Sequence, residues 1–428
     1  MKIKRAGEIK DPVHGYIYFT EEERELIDSK PLQRLRRIKQ LAGSELTYPG
    51  ATHTRFLHSL GVMHLSGLLA ERLYELGHID HDDLRKLRIV GLLHDVGHGP
   101  FSHVYEEVLY ERRGMTHEDL TYWVIKDSEL GDILDSLGFS RDEIASLCIG
   151  RLDCKEREFL NQIVTGRLSP DTMDYIVRDS YFAGVGFGEV DIHRLIDSID
   201  LVEGGVAVDY PGAFYVLEAF IIARLELFNA VYFHRTVRAA NIMLSRAMIY
   251  ADEELGLTSF KDVNEFLSMD DYTIINSILS LNREGRAKIA KELIRRFMER
   301  RLLKSTYEAI VHRGDDPLAG VLKRPSLRRK LEEEIGVKAG VDPDYVIIDV
   351  PTVLSVPVHP KDGGEILVFR RHQGKREVFK LTDVSQLLAS LSKFTDIIRV
   401  YTLQEWREAV EKACREVFGE EGLTRVAV

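Results

Sequence analysis

The chain of 428 residues is 44% hydrophobic and 30% charged, with a formal net charge of −11. That balance argues against disorder and leaves room for two or three folded domains, while the acidic excess disfavours general nucleic-acid binding, whose affinity comes mainly from accumulated Lys and Arg. No run approaches the ~20 apolar residues that span a bilayer, and MKIKRAGEIKDP lacks the apolar core of a secretory signal, so a cytoplasmic chain is expected.

From Glu21 to about Ile310 apolar residues recur at three- and four-residue steps, the mark of successive helices. In PLQRLRRIKQL, Pro31 suits the first helical turn and Leu32, Leu35 and Ile38 share one face, which turns Arg34 and Arg37 elsewhere. Further helices are expected over residues 55–76, 82–93, 101–111, 116–126 and 214–251, with breaks at 97–100 and 184–188. Basic clusters at Arg34, Arg36, Arg37 and Lys39, at 295–304 and at 323–330 read by themselves as solvated helix faces.

Near Val341 the texture changes. DYVIIDVPTVLSVPV is rich in β-branched residues, EILVFRR and REVFKL can pair as neighbouring strands, and TDIIRVYT is another strand. Helical patterns at 385–391 and 403–418 alternate with them. The expected fold is mainly α, with a helical domain over residues 1–335 and a smaller α+β domain over 336–428, after a charged connector around 323–337. Cys148, Cys154 and Cys414 are too few and too far apart for a disulfide framework or a zinc clip and read as plain thiols.

The chemistry concentrates in RIVGLLHDVGHGPFSH. A helix burying Ile89, Val90, Leu92 and Leu93 would carry His94 and Asp95 into the interior at its end, where a carboxylate needs a cation or a hydrogen-bonded partner. For an isolated His-Asp pair the commoner arrangement is a histidine bonded to backbone and an aspartate capping a helix. Two further features favour a metal: His58 on an earlier apolar-faced helix, and Asp171, which follows Pro170 at a helix start and precedes Asp174, Tyr175 and Asp179 at helical spacing. Two imidazoles and two carboxylates suit a divalent ion with open water positions. Such a set tolerates Mg, Mn, Fe, Co, Ni or Zn.

The order His, His-Asp, Asp resembles the HD superfamily, and the surrounding words resemble more narrowly the dNTP triphosphohydrolases related to the SAM-and-HD-domain enzyme. Those words are DPVHG, QRLRRIKQL, RFLHSLGV, HDVGHGPFSH, THE, DYIVRD and, late in the chain, VSQLL followed by IIRVY. The resemblance covers nearly the whole chain, without a SAM module. It implies that His58, His94, Asp95 and Asp171 bind metal, that Arg55 holds a phosphate, and that His98 and His103 line the phosphate site. Glu106 then orients a histidine such as His117 for proton transfer. Tyr175 is implied to pack on the nucleotide, Asp179 to meet the sugar and Arg224 to hold a distal phosphate, while Gln40, Leu41 and Tyr232 close around the deoxyribose. Thr172 and Phe228 depart from the human-type pattern, which has Lys and His there. The implied reaction converts a dNTP and water to deoxynucleoside and triphosphate; the alternatives are an HD hydrolase of another phosphate ester and a weakly active nucleotide-binding regulator.

The same resemblance implies a homotetramer activated by guanine nucleotide. Asp28, Gln33 and Arg36 match the guanine-reading positions, with Arg300, Lys304 and Arg371 offering charge to phosphates by weaker alignment. Asp28 capping the following helix and a solvated Arg36 are the ordinary alternative. Lys10, Asp200 and Tyr210 depart from the family pattern around this pocket.

Overall fold

In the computed structural model of the chain, residues 4–312, 322, 324–351, 366–391 and 395–418 are described. They form two compact units whose segments alternate along the sequence: Met1–Leu227, Thr258–Ile274 and His359–Ala389 in one, Phe228–Leu257, Ile275–Val358 and Ser390–Val428 in the other. Where a single boundary near residue 335 was expected, the chain crosses between units several times. No helix among the described residues is long and apolar enough to cross a membrane.

The first unit opens with an antiparallel hairpin, β1 (Gly7–Asp11) and β2 (Gly15–Phe19). A capping box between Thr20 and Glu23 then starts α1 (Glu21–Ile27), which ends at Asp28. PLQRLRRIKQL forms the short α2 (Lys30–Arg34) and a 3-10 turn over Leu35–Arg37, and it buries the expected Leu32, Leu35 and Ile38. The long α3 (Arg55–Glu75) is buried along most of its length and packs on α4 (His81–Leu93), whose start is set by a capping box between Asp80 and Asp83. Ile89, Val90, Leu92 and Leu93 are all buried, so α4 delivers His94 and Asp95 to the interior as its apolar run predicts.

Next come α5 (His103–Arg113), α6 (His117–Asp127), α7 (Glu129–Ser136), α8 (Arg141–Cys148) and α9 (Glu158–Thr165). The helix expected from residue 101 starts later because Phe101 and Ser102 hold φ values of 58° and 59°, outside helical geometry. In α10 (Pro170–Ala183), Ser169 accepts from the Thr172 N–H and Pro170 occupies the first turn, which places Asp171 at the helix start. After α11 (Ile192–Asp197) the expected helical run is interrupted by a hairpin of β3 (Ile199–Val202) and β4 (Gly205–Asp209), followed by α12 (Tyr210–Leu227). EILVFRR and REVFKL supply the paired strands Leu367–His372 and Lys375–Lys380, and the first of these lies parallel to β4, making a four-stranded sheet.

The stretch 214–251, expected as one helix, is two. A π-type turn at Phe228–Tyr232, with the Phe233 N–H donating to the Phe228 carbonyl, separates α12 from the helix Arg235–Leu255. In the second unit that helix packs on Arg286–Met298. A three-stranded antiparallel sheet runs in the order Lys304–His312, Thr395–Thr402, Ile347–Asp349, so the helical pattern already gives way to strand at Lys304. The connector expected around 323–337 is the helix Pro325–Ala339, which buries Ile335 and Glu332; the latter accepts two bonds from Arg246. Tyr307, Ile335, Val346, Ile348, Val400 and Val410 share the core of this unit. The part of DYVIIDVPTVLSVPV from Thr352 onward lies outside the described residues. All three cysteines are free thiols, with Cys148 and Cys414 buried.

Candidate metal centre

Three elements of the first unit converge at their ends. The first turn of α3 presents His58, the C-terminus of α4 presents His94 and Asp95, and the first turn of α10 presents Asp171. His58 Nε2 lies 3.0 Å from Asp171 Oδ1 and 3.6 Å from Asp95 Oδ2; His94 Nε2 lies 3.3 Å from Asp95 Oδ1 and 3.8 Å from Asp171 Oδ1. One ligand atom each from His58, His94 and Asp95 falls within 4.8 Å of the others.

The tautomers of both histidines suit a cation. His94 Nδ1 sits 2.9 Å from the Gly91 carbonyl, which can only accept, so Nδ1 carries the proton and Nε2 keeps its lone pair. That Nε2 is buried and has no hydrogen-bond partner among the described residues. His58 Nδ1 likewise faces Asp174 Oδ2 at 2.7 Å, leaving its Nε2 toward Asp171. Burial opposes a charge on His58, but bonds to Asp171 and Asp174 and the nearby Asp95 push its pKa up to about 10. Two carboxylates set against two imidazoles, with an unsatisfied imidazole nitrogen among them, fit a divalent ion.

Arg55 closes one side. Its Nη1 pairs with Asp95 Oδ2, its Nε donates to Ser102 Oγ at 2.7 Å, and its buried Nη2 has no partner among the described residues. Burial would raise the Asp95 pKa, but Arg55, His94 and His58 hold that carboxylate ionised far below its ordinary range. The guanidinium is therefore held by Asp95 and Ser102, while its Nη2 amino group keeps both donors unused among the described residues.

Beside the cage stands a row of three histidines. His98 is buried, stacks on His117 at 4.0 Å with 15° between planes, and meets the His103 ring edge-on at 4.9 Å. Glu106 joins the other two: its Oε2 faces His103 Nδ1 at 2.8 Å and its Oε1 faces His117 Nδ1 at 2.6 Å, also accepting from the His117 N–H at 3.1 Å. Burial works against charge on His117, but Glu106 outweighs it and raises the pKa; His98, buried among Arg55 and the other histidines, is held well below its ordinary value and stays neutral. The three rings also group as metal ligands by distance alone. The stacked planes of His98 and His117, however, send their in-plane lone pairs side by side rather than to one point, which suits proton handling beside an anion.

Several residues that shape the site had no role assigned from the sequence. Asp174, which opens DYIVRD at helical spacing from Asp171, orients His58. The Ser102 hydroxyl donates to the Lys39 carbonyl at 2.7 Å while accepting from Arg55 Nε. Asp271 accepts from the backbone N–H groups of Phe101 and Lys39 at 2.6 and 2.9 Å, which fastens the strained Phe101–Ser102 turn; burial lifts its pKa to about 7. Arg34, expected on a solvated face, is buried because it donates to the carbonyls of His98 at 2.9 Å and Met269 at 2.8 Å, and burial lowers its pKa to about 10.

Of the expected nucleotide contacts, Tyr175 lies on α10, with the Arg224 guanidinium of α12 5.9 Å from its ring. Asp179 is buried and bound to His53 at 2.8 Å. Gln40 and Leu41 are half-buried before the 3-10 turn Ala42–Leu46, and Gln40 Oε1 has no partner among the described residues. Thr172 is buried against Ser169. Tyr232 and Phe228 belong to the second unit, where their rings meet edge-on at 4.8 Å.

For the expected activator positions, Asp28 ends α1 and is exposed, and the cap before α2 is Ser29 instead. Gln33 donates to the Ile27 carbonyl at 2.8 Å and accepts from Arg36 at 2.8 Å, and Arg36 lies over the Phe56 ring. Asp200 is engaged internally by His78 and Arg376, with the exposed Arg371 4.0 Å away. Arg300 and Lys304 lie in the second unit.

Residues 55–158 match the HD domain, and residues 190–425 match the HD associated region. An uncharacterized protein of Methanocaldococcus jannaschii is 36% identical over 67% of this chain and 59% of its own length. An uncharacterized protein of Bacillus subtilis is 30% identical over 81% of this chain and 80% of its own length. The deoxynucleoside triphosphate triphosphohydrolase SAMHD1 homolog of Dictyostelium discoideum is 30% identical, with 72% of this chain matching 61% of that protein. The matched stretch thus spans under two thirds of two of these relatives. Among solved structures, a hypothetical protein from Aquifex aeolicus superposes with a TM-score of 0.73 at 29% identity, covering 95% of this chain and 99% of that one. A phosphohydrolase from Bacteroides thetaiotaomicron shares the fold, with a TM-score of 0.74 at 24% identity over 94% of this chain and 100% of that one.

Proposed function

Because the chain belongs to the HD-domain family and carries its associated C-terminal region, we propose that it is a metal-dependent triphosphohydrolase that converts a dNTP and water to deoxynucleoside and triphosphate. The observation that carries the reading is the convergence of His58, His94, Asp95 and Asp171, with His94 Nε2 lacking a hydrogen-bond partner among the described residues, next to a carboxylate-held histidine. The names of the dNTP triphosphohydrolase relatives supply the substrate class. A divalent ion in the cage would lower the pKa of a water and polarise a phosphoryl oxygen.

The chain's own groups do the rest. Arg55 Nη2 and Arg224 meet phosphate oxygens and offset the charge that develops on them. Water attacks the α-phosphorus, the bond from phosphorus to the 5′-oxygen breaks, and His117, kept protonated by Glu106, gives its proton to that oxygen, while the proton that the water loses restores His117 through solvent. His103 shares the same carboxylate and is the second candidate donor. His98 stays neutral and lines the phosphates. Tyr175 packs against the nucleotide, Asp179 meets the sugar hydroxyl while held by His53, and Gln40 and Leu41 restrict space for a 2′-hydroxyl. Guanine nucleotide at Asp28, Gln33 and Arg36 would favour an active homotetramer, with Arg300, Lys304 and Arg371 supplying phosphate contacts.

Product analysis with each dNTP tests the proposal. Inorganic triphosphate is the expected product, and the His94→Ala, Asp95→Ala double variant should lose both bound metal and turnover. Orthophosphate release would move the enzyme to another phosphate-ester class. Nucleotide binding without turnover would make the chain a regulator.

A further inference from the structure

The loop of the N-terminal hairpin reaches the metal cage through charges that water does not touch. Asp174, on α10, is fully buried, and each of its carboxylate oxygens meets two nitrogen groups. Oδ2 faces His58 Nδ1 at 2.7 Å and accepts from Arg178 Nε at 2.7 Å; Oδ1 faces His14 Nε2 at 2.6 Å and accepts from Arg178 Nη2 at 2.9 Å. Arg178 is itself fully buried and donates Nη1 to Asp11 Oδ2 at 2.8 Å. The other oxygen of Asp11 folds the loop, accepting from the Val13 and His14 N–H groups at 2.9 and 2.7 Å. There is no slack against α3, because a Cβ at Gly61 would stand 1.9 Å from Asp174 Oδ1 and 2.4 Å from Arg178 Nη2.

We propose that His14 and Asp11 are positioning residues of the metal centre: through Arg178 and Asp174 they hold His58 with Nδ1 protonated and Nε2 aimed at the ion. The inference rests on the reading that His58 is a metal ligand. Its physical basis is that a carboxylate with all its acceptor sites filled cannot turn without breaking a buried bond. Removing His14 frees Asp174 Oδ1, the carboxylate turns toward Arg178, and the His58 ring loses the acceptor that fixes its tautomer. Loss of such an outer partner typically weakens metal binding by about 10- to 100-fold.

The test is Mn2+ titration of the full-length, metal-stripped protein by calorimetry, with circular dichroism to confirm folding. His14→Ala should keep the wild-type spectrum, bind Mn2+ about 10- to 100-fold more weakly, and recover most of its turnover when Mn2+ is raised to saturation. His14→Gln, which restores a donor toward Asp174, should regain most of the affinity. A folded His14→Ala protein with wild-type Mn2+ affinity overturns the proposal. Should His14→Ala fail to fold, Asp11→Asn serves, since its remaining carbonyl oxygen can still close the loop while the anionic partner of Arg178 is gone; wild-type affinity there is equally fatal. Wild-type protein that binds no Mn2+ would instead refute the metal reading beneath it.

Discussion

Glu106 carries two histidines on one carboxylate, the arrangement on which the proposed acid role of His117 rests. Its pKa is pulled far below the usual carboxylate range, against burial, by bonds to His103 and His117, while His117 is raised by the same contact. A raised imidazole pKa means the proton is present at low pH and lost as pH rises through the folded value. Turnover should therefore fall on the alkaline side as His117 loses its proton. Glu106→Gln removes the anion that raises it, so the alkaline limb of kcat/KM should move to lower pH with metal kept saturating; an unmoved limb would take His117 out of the acid role. At this scale the ligand candidates His58, His94, Asp95 and Asp171 were legible because their words in the sequence are long. The tautomer-setting partners were less so. Asp174 stands one helical turn beyond Asp171 and looks like a surface repeat, and nothing local in DPVHG says that His14 meets a carboxylate 160 residues away.

Helix ends rather than helix faces build the site, so the joints between elements carry the sharpest constraints. Gly97 lies where the turn after α4 presses on the start of α6: a Cβ there would sit 2.1 Å from the Thr121 nitrogen and 2.4 Å from the His117 carbonyl oxygen. Gly97→Ala must part backbone from backbone. It should lower stability by about 1–3 kcal/mol, as overpacking does, and reduce turnover by moving His117 relative to His94. A thermal melt matching wild type would contradict that. The long helices α3 and α4 were visible as apolar periodicities, as were the paired strands near the C-terminus. The β3–β4 hairpin was not, because four or five residues give too short a window to separate strand from buried helix. The joint at Phe228–Tyr232 was missed for the opposite reason: apolar residues continue at helical spacing through a turn whose register has merely widened.

For the whole molecule, the activation proposal predicts a change of assembly. Sedimentation should show dGTP or GTP driving the chain toward a tetramer while turnover rises, and Asp28→Ala should lose both responses, since an activator must bind the active assembly more tightly than the inactive one. A monomer with full activity indifferent to guanine nucleotide would dispose of the idea. The sheet of the first unit raises a different matter, the order in which the protein can be made. Ala207 in β4 pairs with Leu367, about 160 residues later, so when β4 leaves the ribosome its partner has not been synthesised. At roughly 5–20 residues per second, the open edge waits on the order of 10–30 s. During that interval the nascent unit already holds all four metal-site residues yet presents an unpaired strand, a template for pairing with a neighbouring chain. The unit that holds the candidate metal centre thus cannot close its sheet until its segment around Leu367–Lys380 has been made, and its yield in cells should depend on chaperone supply.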